Sequence, residues 1–206
     1  MYKWFDELTR LNKPNREKSD YHHYGLYEVE ILNNIFYFHD VKSVLSLGGM
    51  SNLDFFLAQF DNKVETATNI DEAVNWRGYN LEEKQQEYIK KFGFNGEYIF
   101  TRRSLSSYDV VDKKYNVVFC NIDTLKGDMK VLPDIFIKMW SRIGLVEDTR
   151  EKMTLEYERF FSNVVVTTNM TVFSNKDIQY ETNFVETTTK LEKNRKVVYQ
   201  TVDFPL

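Results

Sequence analysis

Ser43-Val44-Leu45-Ser46-Leu47-Gly48-Gly49-Met50-Ser51-Asn52 reads as a short strand, a glycine turn and the start of a helix. The run to Leu47 is brief and mostly apolar, as in a strand covered on both faces, and two glycines end it. Ser51 and Asn52 are good helix N-caps, and Leu53, Phe56, Leu57 and Phe60 follow at helical spacing. Outward from here the pattern repeats. A second strand, Val64 to Ile70, ends at Asp71; after a loop around Trp76-Arg77-Gly78, a helix presents Leu81, Tyr88, Ile89 and Phe92. Tyr98 to Phe100 is a third strand and Tyr115 to Cys120 a fourth. The spacing of Leu132, Ile135, Phe136, Met139 and Trp140 predicts a helix, Gly144-Leu145-Val146 a fifth strand, and Thr149 to Phe161 a further helix.

Strands alternating with helices predict an α/β fold with a mostly parallel sheet in the order 3-2-1-4-5, helices on both faces. Val- and Thr-rich runs at 164–173, 178–189 and 196–204 then predict antiparallel C-terminal strands, with a hairpin from 164–190 at the sheet edge. Before the first strand, Trp4, Phe5, Leu8 and Leu11 share one helical face, and a second helix from about Leu26 to Phe38 turns Ile31, Ile35 and Phe38 inward, with Leu32 and Phe36 beside them. Residues 1–40 thus read as an N-terminal helical cap and 41–206 as one α/β unit.

Composition narrows the class. A chain of 206 residues with 16% aromatics and only 8 Gly and 3 Pro has material for a real core and little for flexible linkers. The net charge of -4 argues against broad nucleic-acid or anionic-membrane binding. A lone cysteine, Cys120, excludes an intrachain disulfide, and its apolar neighbours predict a buried, unreactive thiol. The N-terminus lacks the apolar run of a signal peptide, so a cytoplasmic protein is expected. Abundant Asn, Lys, Tyr and Phe point to a low-GC bacterial or viral genome.

In a sheet of this kind ligands bind beyond the carboxyl ends of the strands. Gly48 and Gly49 let the backbone turn tightly and approach a ligand, and the next helix offers unpaired N–H groups. An ordinary strand-to-helix turn would use the same glycines. Asp71, roughly 20 residues further on, stands where a carboxylate accepts hydrogen bonds from a ribose diol, or merely caps a helix. Asn121-Ile122-Asp123-Thr124 and Glu147-Asp148-Thr149 follow the fourth and fifth strands. These strands are expected to be neighbours, so their acids would converge and suit Mg²⁺, Mn²⁺ or a general base. The alternative is a set of solvated strand ends. His22, His23 and His39 read as surface or satisfied interior groups, Lys84, Lys90 and Lys91 as a solvated helix face, and Arg102-Arg103 as a weak anion site.

The order of elements from Ser43 to the final strands resembles the class I S-adenosylmethionine-dependent methyltransferases, which implies a Rossmann-like methyltransferase fold. The stretch "YNVVFCNIDTLKGDMKVLPDIFIKMWSRIGLVEDT", 115–149, resembles the metal-dependent O-methyltransferases of the cephalosporin-hydroxylase and macrocin type. Those proteins carry an aspartate-rich turn after the fourth strand and an acid pair closing the fifth. The resemblance implies S-adenosylmethionine as cofactor, with Gly48 and Gly49 at its methionine part, Asp71 at the ribose, Ser104 near the adenine and Asn121 beside it. Asp123, Glu147 and Asp148 would be the catalytic acids and the ligands of Mg²⁺ or Mn²⁺. The implied reaction moves a methyl group to a hydroxyl of a small-molecule acceptor. Four positions depart from the family. Ser46 replaces its first-strand acid, Asn52 lies where a third glycine is usual, Asn121 replaces an aspartate and Thr124 a histidine. They keep two alternatives open: a catalytically silent methyltransferase-like module acting through protein contacts, and another nucleotide-binding α/β protein.

Overall fold

Four short strands lie side by side in parallel. The computed structural model describes residues 26–48, 64–71, 75–76, 79–80, 82–83, 86, 89–90, 94–103, 113–120, 131–139, 157, 159–167, 170–178, 186–192 and 195–201. Within them, β1 (Ser43–Leu47) pairs in parallel with β2 (Thr66–Asp71) on one side and with β6 (Val117–Cys120) on the other. β5 (Glu97–Arg102) extends the sheet beyond β2. Between them in sequence, β3 (Asn75–Trp76) and β4 (Tyr79–Asn80) make a small separate hairpin where the sequence predicted only a loop.

The predicted order 3-2-1-4-5 holds, but its fifth strand is a different segment. β7 (Ile135–Met139) lies parallel to β6, in the stretch whose spacing predicted a helix. The apolar positions 132, 135, 136 and 139 satisfy helical spacing, and a short apolar run fits either element. Burial decides between them. All five residues of β7 are buried, Ile137 and Lys138 at 0% exposure. A surface helix buries one stripe, whereas a central strand covered on both faces buries every position. Each fully buried Ile or Phe contributes about 1.5–3 kcal/mol relative to exposure, so the strand wins. The segment 144–146, predicted as the fifth strand, lies outside the described residues.

The C-terminal runs also differ from the prediction. The stretch 164–173 is two strands, β8 (Asn163–Val166) and β9 (Met170–Ser174), folded back on each other. The reversal is held by Thr167, whose N–H and hydroxyl donate to Met170 O at 2.9 and 3.0 Å while its Oγ1 accepts from Met170 N at 3.1 Å. β9 lies antiparallel to β7, placing this hairpin inside the sheet. The edge belongs to β10 (Glu186–Glu192) and β11 (Arg195–Thr201), an antiparallel pair joined to the rest through the parallel contact of β11 with β8. The result is one nine-stranded sheet, β5-β2-β1-β6-β7-β9-β8-β11-β10, among the described residues.

Alternate residues of β1, β2, β6, β7 and β9 feed two cores. One face carries Val44, Ala67, Val117, Phe119, Ile135 and Ile137, covered by Ile31, Leu32, Ile35 and Phe36 of helix α1 (Leu26–Phe38). α1 therefore shares the core of the sheet; Phe38, expected inward, is 51% exposed. The first 25 residues of the expected cap lie outside the described residues. The other face carries Leu45, Leu47, Val118, Phe136 and Phe173 under Tyr157 and Phe161. Phe136 is its hub, 4.9 Å from the Tyr157 ring centroid and 5.9 Å from that of Phe173.

The amino edge of the sheet is closed by a polar network. Asn116 Oδ1 accepts from Lys42 N, Ser43 N and Ser43 Oγ at 2.9, 3.0 and 3.2 Å. Its Nδ2 donates to Asp134 Oδ2 at 3.0 Å, and Asp134 also pairs with Lys114 at 2.8 Å and Lys176 at 3.3 Å. Burial alone would raise the Asp134 pKa, but these hydrogen bonds outweigh it and hold the carboxyl below its ordinary value. His39 is at this edge too, its pKa lowered by burial and then by Lys176.

Candidate functional site

The parallel register brings the carboxyl ends of β1, β2, β5, β6 and β7 to one edge. Gly48 leaves β1 with φ of 66°, a left-handed conformation that a side chain disfavours, so the glycine is needed for the turn. Its N–H donates to Ile70 O at 2.9 Å, continuing the β1–β2 pairing one step past Leu47. Asp71, the last residue of β2, is the next residue after Ile70 and is buried. Its carbonyl accepts from Arg103 N at 3.1 Å, which ties β5 to the same edge. Gly48 and Asp71, read separately in the sequence, thus stand side by side.

The other expected residues lie outside the described residues: Gly49, Ser104, Asn121, Asp123, Glu147 and Asp148. Gly49 follows Gly48, Ser104 follows Arg103, and Asn121 follows Cys120, the partner of Leu47 in register. Glu147 and Asp148 were expected directly after the fifth strand, but that strand ends at Met139. Among the described residues no group of three His, Cys, Asp or Glu could hold a metal ion.

Two polar side chains near this edge, Lys138 and Asn69, were missed by sequence reading. Lys138 of β7 is 0% exposed, between Cys120 and Thr171 in register, and its Nζ donates to Met139 O at 2.9 Å. That bond draws the ammonium toward the carboxyl edge. Its signal in the sequence is a lysine inside an apolar run. Asn69 of β2 is 0% exposed and faces Ser46 of β1, 2% exposed. Ser46 Oγ and both amide atoms of Asn69 make no hydrogen bond. Burial raises the Tyr98 pKa on the adjacent β5, and the Asn69 side chain draws it partly back. The phenol accordingly stays neutral at working pH. Cys120 is buried at the end of β6, in line with the expected buried thiol.

No family model matches the chain, and no curated protein matches it. Solved structures do. The methyltransferase domain of a bacterial Hen1 protein aligns with a TM-score of 0.52 at 14% identity, covering 72% of this chain and 97% of that one. A Corynebacterium glutamicum protein aligns at 0.53 and 12% identity, covering 86% of this chain and 99% of that one. A third, a SAM-dependent methyltransferase from Thiobacillus denitrificans in complex with S-adenosyl-L-homocysteine, gives 0.43 at 15% identity, covering 75% and 62%. The chain has a Rossmann-like methyltransferase fold. At such identities the likeness is one of fold. Among the described residues no helix is long and apolar enough to cross a membrane.

Proposed function

We propose that this chain is an S-adenosylmethionine-dependent methyltransferase acting on a hydroxyl of a small-molecule acceptor. The observation that carries the reading is the left-handed Gly48 set beside the buried Asp71 at the carboxyl edge. A glycine turn admits a ligand close to the backbone, and a carboxylate at the end of the neighbouring strand suits a ribose diol. Gly48 and Gly49 would hold the methionine part, Asp71 the ribose, and Ser104 and Asn121 the adenine side. Bound here, the cofactor supplies an electrophilic methyl group on a sulfonium. The residues' main work is to hold donor and acceptor in near-attack geometry with water excluded. Asp123, Glu147 and Asp148 remain the proposed acids on the acceptor side, with Mg²⁺ or Mn²⁺ as a weakly held partner.

The silent-module reading draws on Ser46, a neutral side chain where the resemblance implies an acid. Ligand binding separates the readings. In a thermal-shift panel of S-adenosylmethionine, S-adenosylhomocysteine, NAD and UDP-sugars, the adenosyl compounds should raise Tm, and Asp71→Ala should weaken them at least tenfold. A shift with NAD or a UDP-sugar alone would move the chain to another class of nucleotide-binding protein. No shift with any of the four would favour the silent module.

A further inference from the structure

We infer that the open edge of β10 pairs with β10 of a second copy of this chain, antiparallel about a two-fold axis, so that the two sheets join into one. Nothing in this pairing depends on which ligand the chain binds.

β10 is the last strand of the sheet, and among the described residues it pairs with β11 alone. Its seven residues include three consecutive threonines, which are β-branched and suit a strand, and no glycine or proline. An edge of this length invites another strand. The hairpin fixes which backbone groups face outward. A two-residue turn joins β10 to β11, so Glu192 and Arg195, which flank it, form a hydrogen-bonded pair. The alternation of an antiparallel ladder then turns the N–H and C=O of Glu186, Thr188, Lys190 and Glu192 toward β11. Those of Thr187, Thr189 and Leu191 face the open edge.

Two copies can pair across that edge only where outward-facing residues meet each other. The residue numbers of every antiparallel pair must therefore add to an even number. One such register is centred on Thr188. It sets Glu186 of each copy opposite Lys190 of the other and hydrogen-bonds Thr187 to Thr189. Opposite charges across strands are stabilising, and so is the threonine pair on the axis. A centre on Thr189 would oppose Glu186 to Glu192, and a centre on Lys190 would oppose lysine to lysine. Like charges directly opposite destabilise. Centres on Thr187 or Leu191 overlap only three residues of each strand. The far edge of the sheet fails the same test. The charged residues of β5 are Glu97 and Arg102, whose numbers differ in parity, so two copies of β5 cannot bring them opposite. The two-fold axis also inverts the partner. The carboxyl edges of the two copies then open on opposite sides of the joined sheet, and neither covers the other.

Sedimentation velocity of the full chain, from low to high micromolar concentration, should show a reversible monomer–dimer equilibrium. Glu186→Lys or Lys190→Glu alone sets like charges opposite at both symmetric positions and should weaken the dimer about tenfold or more. The double variant restores opposite charges and should return to within about threefold of wild type. Thr189→Pro removes an outward N–H, spares the bonds to β11 and should abolish the dimer. Tm measured on dilute samples separates loss of pairing from loss of fold, and the charge variants should keep the wild-type value. If Thr189→Pro lowers it, the charge exchange alone decides. A chain that stays monomeric throughout the range would overturn the inference. So would a dimer that the single charge changes leave intact, or one that the double variant fails to restore.

Discussion

Asn116→Ala should cost about 3 kcal/mol of folding stability, although the side chain touches no part of the candidate site. Its Oδ1 accepts from the N–H groups of Lys42 and Ser43, at 2.9 and 3.0 Å, where the chain enters β1. Its Nδ2 donates to the Asp134 carboxylate at 3.0 Å, where the chain enters β7. Two part-buried neutral bonds contribute about 1 kcal/mol each, and one to a carboxylate about 1.5. The Ser43 hydroxyl keeps its own bond from Asn116 N at 3.1 Å, and water reaches part of this edge, which brings the estimate to about 3. For a chain of this size that corresponds to a fall in Tm of about 6–12 °C. Urea unfolding should show a lower midpoint with an unchanged m-value, because the exposed surface is the same. Asn116→Asp keeps the accepting oxygen but sets a second carboxylate against Asp134. Its loss should therefore be small in acid and grow as the pH rises past the carboxylate range. A cost below about 1 kcal/mol for Asn116→Ala would refute the claim that this side chain joins the starts of β1, β6 and β7.

Three further outcomes follow from the same structure. The Asp134 pKa is lowered in the folded chain, so its contribution is present above the unfolded value and lost as pH falls through the folded one. Asp134→Asn should flatten the acid limb of stability against pH, and an unaltered limb would contradict the assignment. Lys138→Ala should destabilise by about 2–4 kcal/mol through an internal cavity and an unpaired Met139 carbonyl, while Lys138→Met, which keeps the volume, should lose less; equal losses would show that packing plays no part. Gly96→Ala should be poorly tolerated in chemical denaturation, because a Cβ there would meet the Glu65 and Val64 carbonyl oxygens at 2.7 and 2.8 Å and Phe94 at 2.5 Å. A wild-type midpoint would show that the loop before β5 can yield.

Much of the fold was legible in local pattern. β1, β2, β5 and β6 lie within two residues of the runs that predicted them, and α1 begins and ends where its spacing predicted. β7 was not legible, because 132, 135, 136 and 139 satisfy a helical period as well as a strand's contiguous run. The β8–β9 reversal was hidden for a different reason. No glycine or proline marks it, and its turn is held by Thr167 and Met170, a contact that exists only once the strands have met. Gly48 and Asp71 could be picked out as candidates because strand ends in an α/β sheet share an edge. Ser46 was visible only as a departure from a family pattern and Asn69 not at all, since neither residue type signals burial.

Sequence alone determined the α/β class, the order of the four strands β5-β2-β1-β6 and the carboxyl edge as the place to look, because these follow from alternation of short-range patterns and the handedness of parallel connections. Tertiary structure decided which segment fills the slot beside β6, where the C-terminal hairpins dock, and which polar groups are buried together. Those outcomes depend on register between segments far apart in the chain. A one-residue slip would turn Asn69 to the opposite face and dissolve its pairing with Ser46, and no local preference of either segment distinguishes the two registers.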